Sequence, residues 1–521
     1  MKRIIPYLLL IGIFSACAPV TATVPTQNSW WRDSVFYEIF VRSFCDSNSD
    51  GIGDFNGITS KLDYLQGLGI TGIWLMPINP SPSYHGYDVL DYYTVNPQYG
   101  TLDDFKNLVA QAHARGIRII IDLVLNHTSS RHPFFIDANS SPQSPYRNWY
   151  IWADSSPGNH WHSGKVGYYY AYFGGEMPDL NYTNPAVTAE IDKVVKYWLK
   201  DIGIDGFRVD AVKDLIEEGP KLEDTSSTHA WLKNFYAMYK AENPEAYTVG
   251  EIFGAGAFGA KGYTGNQLDQ VFNFEMASGF SNSALGGSNT GINSAISFAL
   301  KDMPNGNYAT FLANHDQNRI MSTLNGNLGK AKVAATLMLT SPGTPFIYYG
   351  EEIGMQGKKP DEDIRLPMQW SGAVNAGFTS GVPWRETGDN YRQANVAAEE
   401  IDPESLLSHY HNLLKIRVQH PALRSGSITT VISNNTGVFA SIRDGANEKI
   451  LVIVNLTKNP LSNYKLSLNS TILPDGTYQM DSLLGSSLGT TLTIDAGQFN
   501  SSQGLGDVSP YSTYIILITR K

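Results

Sequence analysis

Three carboxylates each close an apolar stretch: Asp210 in Gly206-Phe-Arg-Val-Asp210, Glu251 in Thr248-Val-Gly-Glu251, and Asp316 in Asn314-His-Asp316. One acidic residue after a strand is ordinary turn chemistry. Three, after the fourth, fifth and seventh strands of one barrel, are harder to explain that way. Cleavage of a glycosidic bond needs two carboxyl groups. One is protonated to assist the leaving oxygen, and the other is ionised to attack the sugar or to activate water. Arg208 lies two residues before Asp210, so both side chains leave a strand on the same side. A guanidinium there favours the ionised carboxylate, which suits a nucleophile. Glu251 has no cation close in sequence, and apolar neighbours raise a carboxyl's pKa, which suits an acid.

The elements that must position these groups are readable. Apolar, β-branched runs occur at 35–42, 72–76, 117–124, 206–210, 247–252, 270–274, 310–313 and 345–349. Near-continuous apolar strands alternating with helices read as a parallel sheet covered on its outside. Eight such units predict a closed (β/α)8 TIM barrel with its working residues at the strand C-terminal ends. Helices are expected at 102–114, ending at Arg115-Gly116, and at 185–200. The segment 127–184 is rich in Ser, Pro, Gly, Trp and Tyr. It reads as a subdomain inserted after strand 3 that walls one side of a cleft. The barrel then occupies 30–126 and 185–424. Beyond it, runs at 438–443, 449–456 and 511–519 separated by Asn, Gly and Ser turns predict a C-terminal antiparallel β-sandwich over 425–521.

At this point a resemblance carries further. Asp122-Leu-Val-Leu-Asn-His127, Gly206-Phe-Arg-Val-Asp-Ala-Val-Lys213, Gly250-Glu-Ile-Phe253 and Phe311-Leu-Ala-Asn-His-Asp316 resemble, in order, the four signature regions of the α-amylase superfamily, glycoside hydrolase family 13. Met177-Pro-Asp-Leu-Asn181 and Gly343-Thr-Pro-Phe-Ile-Tyr-Tyr-Gly-Glu-Glu352 resemble two more family segments. The first of these is like a group intermediate between oligo-1,6-glucosidases and neopullulanases. The resemblance implies Asp210 as nucleophile, Glu251 as acid/base and Asp316 as the carboxylate that holds ring hydroxyls. It implies Arg208 as the group that fixes the nucleophile, and His127 and His315 as hydroxyl ligands. In Tyr84-His-Gly-Tyr-Asp88 it implies Tyr87 stacking beneath the sugar, with His85 beside it on the substrate side. Asp122 and Asn126 read as structural, organising the loop after strand 3.

Exo-acting relatives carry Asp where this chain has Tyr84, and α-1,6-specific relatives favour Val where it has Ala211. The resemblance therefore implies endo-acting hydrolysis of α-1,4 bonds in starch and maltooligosaccharides. A neopullulanase-like or 4-α-glucanotransferase activity is the alternative.

A second cluster is Asp46-Ser-Asn48-Ser-Asp50-Gly51-Ile52-Gly53-Asp54. Alternating oxygen side chains, a Gly at the sixth position and a backbone carbonyl at Ile52 are hard-ligand chemistry of the calcium type. Gly57 stands where an EF-hand has Glu, so the loop is not an EF-hand, and its expected role is structural. Asp46, Asn48, Asp50, Ile52 and Asp54 are the expected ligands.

Met1-Lys2-Arg3, an apolar run over 4–14 and then Ser15-Ala16-Cys17 read as a lipoprotein-type signal over 1–16. Cys17 would carry lipid and 17–29 would be a tether; ordinary signal cleavage nearby is the alternative. The expected product is an exported monomer held to the envelope only through Cys17. Cys45 then has no intramolecular partner and reads as a buried thiol. The net charge of -11 argues against a nucleic-acid partner, which would want a basic face.

Overall fold

A computed structural model describes residues 29–521 except 255, 304–305, 469 and 501–504. The expected signal peptide, Cys17 and nearly all of the tether lie outside the described residues. Among those residues no helix is long and apolar enough to cross a membrane.

Eight parallel strands form the barrel: β1 (Phe36–Ile39), β2 (Gly72–Leu75), β3 (Arg118–Leu123), β4 (Gly206–Val209), β5 (Tyr247–Gly250), β6 (Gln270–Val271), β7 (Ala309–Thr310) and β8 (Thr344–Tyr348). β1 pairs with both β2 and β8, and the pairing runs on in order through β6. β7 pairs with β8, and a parallel bridge between Phe272 and Ala309 closes the ring. β4 can lie close against β5 because residue 206 is glycine: a Cβ there would sit 1.9 Å from the Tyr247 carbonyl oxygen.

The inward positions stack in two layers. The lower layer is aromatic, with Phe36, Trp74, Tyr247, Phe272, Phe311 and Phe346 in one buried cluster. Phe36 and Phe346 stack at 4.5 Å. Each such ring is worth about 3–5 kcal/mol against alanine. Two residues further along β1, β3 and β4 the inward positions turn polar, with Glu38, Asp122 and Arg208 buried at 2%, 2% and 1% exposure. The barrel core thus becomes a charged floor at its C-terminal end.

The helices follow their local signals. Leu102–Ala114 starts at a reciprocal capping box between Thr101 and Asp104 and ends at Arg115. Pro185–Lys196 starts on the Asn184 side chain, with Pro at its first turn. It continues as a π-turn, Tyr197–Ile202, up to the left-handed Gly203.

The insert after β3 holds a three-stranded antiparallel sheet packed on aromatic rings. Its entry and exit are tied by bridges from His127 to Asp179 and from Tyr150 to Leu180. The expected C-terminal antiparallel β domain is there. Its eight strands, from Ser427–Ser433 to Thr513–Arg520, belong to one sheet closed on itself around a separate core. A buried arginine ties it to the barrel. Arg443 donates to the carbonyls of Thr340, Leu423 and Gly426. On the barrel side of that seam, Arg417 donates to the carbonyls of Leu339, Leu423 and Gly343.

Candidate active site

A cavity of about 680 Å³ opens above the charged floor, and Asp210, Glu251 and Asp316 all line it. His85, Tyr87 and His127 stand on its wall too. Arg208 and His315 lie behind that wall, at 1% and 0% exposure.

Arg208 is the hub. One terminal nitrogen reaches Asp210 Oδ1 at 2.6 Å and Asp122 Oδ1 at 2.8 Å, and the other reaches Glu251 Oε2 at 2.6 Å. Glu251 therefore has a cation in space that it lacks in sequence. Nor does Arg208 make Asp210 a strong acid: burial outweighs the guanidinium and pushes Asp210 up to about 6. Burial, against the pull of Arg208, raises Glu251 as well. The two carboxyls share one guanidinium, and the charge on Asp210 adds to the raising of Glu251, as a neighbouring like charge does. The chain turns sharply after Asp210 through Ala211, whose backbone is left-handed at φ 47°, a conformation that costs a β-carbon-bearing residue energy.

Asp316 is set apart electrically. Burial opposes its ionisation, but His315 and Arg365 hold it well below the usual carboxylate range. Arg365 reaches its Oδ1 at 3.0 Å and His315 Nε2 reaches its Oδ2 at 3.0 Å. Tyr87 lies nearly parallel to the His315 ring, with centroids 5.7 Å apart. Its hydroxyl meets His315 Nε2 at 2.7 Å and Asp122 Oδ2 at 3.2 Å. Burial lowers His127 to about 4, so its ring is neutral. It packs against Phe173 of the insert, with ring centroids 5.6 Å apart. The His85 ring accepts the Tyr87 amide at 3.1 Å.

Asp122 joins this network instead of serving only the loop after β3, since Arg208, Trp74 and Tyr87 all donate to it. Arg365, Lys359 and Asp361 enter from the long segment after β8. No sequence signal pointed to them, because that segment has no periodicity. Phe253, on the cavity wall and 60% exposed, was legible only as the end of a motif.

Tyr84 stacks on Trp384 at 5.7 Å. The Trp384 amide donates to the Gly51 carbonyl at 2.9 Å, which ties this aromatic pair to the Asp-rich N-terminal loop. In that loop Asp46 accepts the amides of Asn48, Ser49 and Gly51 and the Thr379 hydroxyl. Asn48 and Asp50 accept the amides of Asp50 and Ile52. Asp54 caps the helix Phe55–Ser60. Among the described residues no group of three or more His, Cys, Asp or Glu side chains converges as a metal cage. Cys45 is buried and free.

Residues 38–426 match the family model of the alpha amylase catalytic domain. The chain belongs to the alpha-amylase family. It is 43% identical to Alpha-amylase 3 of Dictyoglomus thermophilum over 86% of this chain and 90% of that protein. It is 33% identical to an oligo-1,6-glucosidase of Heyndrickxia coagulans (85% and 96%). With the trehalose-6-phosphate hydrolase of Escherichia coli the identity is 35% (82% and 91%). Among solved structures it superposes on an alpha-amylase from H.orenii with a TM-score of 0.82 and 38% identity, over 93% of this chain and 99% of that one. It is an alpha-amylase-family glycoside hydrolase acting on α-glucans.

Proposed function

We propose that this enzyme cleaves internal α-1,4-glucosidic bonds of starch and maltooligosaccharides with retention of configuration. The observation that carries the mechanism is the pair of carboxyls, Asp210 and Glu251, clasped by the two ends of one guanidinium beneath the cavity. A close pair is the retaining arrangement, for which a separation of about 5–5.5 Å is typical; inverting enzymes leave room for a water between the two. The Asp210 carboxylate attacks the anomeric carbon. The bond from that carbon to the leaving oxygen breaks, and Glu251 gives its proton to that oxygen. Water then attacks the glycosyl–Asp210 ester and returns a proton to Glu251, freeing Asp210. Asp316, ionised and facing the cavity, accepts hydrogen bonds from the sugar hydroxyls, while Tyr87, His85 and His127 line the place of the ring.

Internal α-1,4 action is supported by Tyr84, which packs on Trp384 where a pocket-closing carboxylate would otherwise stand, by Ala211 and by the likeness to alpha-amylases. A second reading, neopullulanase-like or glucan-transferring activity, is favoured by Met177 of the Met177–Asn181 segment, which lines the cavity.

Digestion of maltoheptaose and pullulan separates the two. The proposal expects mixed maltooligosaccharides, released first as α-anomers, and little attack on pullulan. Products released as β-anomers would sink the retaining mechanism. Full activity of Glu251→Gln would sink the assignment of the acid, whose loss is expected to cost up to about 10⁴-fold.

Calcium on the N-terminal loop belongs to the same proposal. The hard oxygens of Asp46, Asn48, Asp50 and Asp54 and the Ile52 carbonyl suit it, and its role is to hold the loop, because no step above uses a metal. Calcium should raise Tm relative to the chelated protein. Equal melting with calcium and with chelator would remove it.

A further inference from the structure

Behind the cavity wall, the fully buried His315 ring has a carboxylate at each nitrogen. Glu38 Oε1 lies 2.6 Å from Nδ1, and Asp316 Oδ2 lies 3.0 Å from Nε2. An ionised carboxylate only accepts hydrogen bonds. A ring that serves one on each side must carry a proton on both nitrogens. We propose that Glu38, an acidic residue in an otherwise apolar strand, is a positioning residue that keeps His315 as an imidazolium and through it holds Asp316 ionised and aimed at the sugar. The inference rests on the reading of Asp316 as the hydroxyl-binding carboxylate.

The surroundings agree. Glu38 sits on β1 at 2% exposure, and its Oε1 also faces the His315 amide at 3.4 Å. Trp74 on β2 closes the ring's edge, with centroids 5.5 Å apart. Tyr87, after β2, accepts or shares the Nε2 proton and passes a hydrogen bond on to Asp122 on β3. Arg208 on β4 binds Asp122 and the carboxyl of Glu251, just after β5. Arg365 donates its Nε–H to the His315 carbonyl at 2.9 Å and its terminal nitrogen to Asp316. Two cations, Arg208 and Arg365, therefore oppose the charge on His315, and Glu38, Asp316, Asp122 and Glu251 favour it. Burial alone would lower the ring's pKa, but Asp316 and Glu38 carry it up to about 10. Of the two, only Glu38 lies away from the substrate. It keeps the ring charged when a sugar arrives and Asp316 turns its oxygens to the hydroxyls.

Imidazole ¹⁵N spectra of the free enzyme, with His315→Asn to assign the signal, test this without substrate. Both ring nitrogens are expected to be protonated from pH 6 to pH 8.5. A neutral-tautomer pattern for His315 in that range would overturn the proposal, whatever the fate of the Asp316 assignment. Glu38→Gln keeps a hydrogen-bond acceptor and removes the charge, and His315 should then titrate near its ordinary value of about 6.5. The ratio of variant to wild-type kcat/KM should then fall by up to about 100-fold between pH 5.5 and pH 8.5, since the ring would be about 1% protonated two units above that value. Glu38→Asp should restore the flat ratio. A ratio for Glu38→Gln that does not change with pH would mean that Glu38 is only a packing residue. A normal spectrum for His315 together with an intact affinity of Asp316→Asn for maltooligosaccharides would instead fault the reading of Asp316.

Discussion

Around Arg208 three carboxylates share one guanidinium, whereas just after β8 two glutamates share tyrosine hydroxyls. Glu352 Oε1 accepts from Tyr37 and Tyr64, each at 2.7 Å, and Glu351 Oε1 accepts from Tyr410 at 2.7 Å. Both sets are buried in the same barrel, but they meet the cost of burial differently. The first sets its carboxyls against a cation; for the second, burial pushes Glu351 up to about 8 and raises Glu352, which leaves Glu351 protonated near neutrality. Paired charges cost more to bury, but they put ionised oxygens on a cavity wall, which glycosyl chemistry needs. A neutral acid with a hydroxyl partner, such as Glu351, holds a turn in place and does nothing at the cavity.

Breaking the hub should produce the largest effect. Arg208→Met strands Asp122, Asp210 and Glu251 together. Removing one partner of a buried ionic network costs about 3–5 kcal/mol, so Tm should fall sharply. Any folded remainder should lose at least about 100-fold in kcat, as misplaced reacting groups do. A variant that melts like the wild type would show that the carboxylates do not depend on Arg208.

A smaller effect of opposite sign is expected after β8. Glu351 has a folded pKa of about 8, above the unfolded value of about 4.3. The folded state therefore binds the extra proton between those values. The associated stability is full below the unfolded pKa and is lost as pH rises towards the folded one. Glu351→Gln removes that loss, so its melting temperature should decline less between pH 5 and pH 9 than that of the wild type, by about 3 °C. Parallel pH dependences would mean that Glu351 is already ionised in the fold and that the contrast with the Arg208 cluster is false.

These two clusters also mark how far the sequence could be read. The eight barrel strands were legible because parallel strands covered on both faces are apolar along their whole length. β6 and β7 proved shorter than their apolar runs, two residues each, because pairing stops where their C-terminal ends turn to helix and loop. The C-terminal strands Gly476–Leu484, Thr491–Asp495 and Gln498–Asn500 were missed. The first two bury only some of their residues, so the intervening Ser, Thr and Gln dilute the signal.

In the site, Asp210, Glu251 and Asp316 stood out because each ends an apolar run. Their electrostatics did not: Arg208 reaches Glu251 across 43 residues of sequence and Arg365 reaches Asp316 across 49, contacts that only barrel closure creates. Glu38 was hidden for the opposite reason, being one acidic letter inside a strand read as continuous core.

The seam between barrel and C-terminal domain carries one more consequence. Arg443 is 0% exposed, and its partners are backbone carbonyls on both sides of that seam, Thr340 and Leu423 in the barrel and Gly426 beyond it. Pulling the terminal domain away would strip the Arg443 guanidinium from the Thr340 and Leu423 carbonyls of the barrel. The C-terminal domain is therefore more than an appendage: a cut at residue 425 would remove a buried cation that binds the barrel's own backbone.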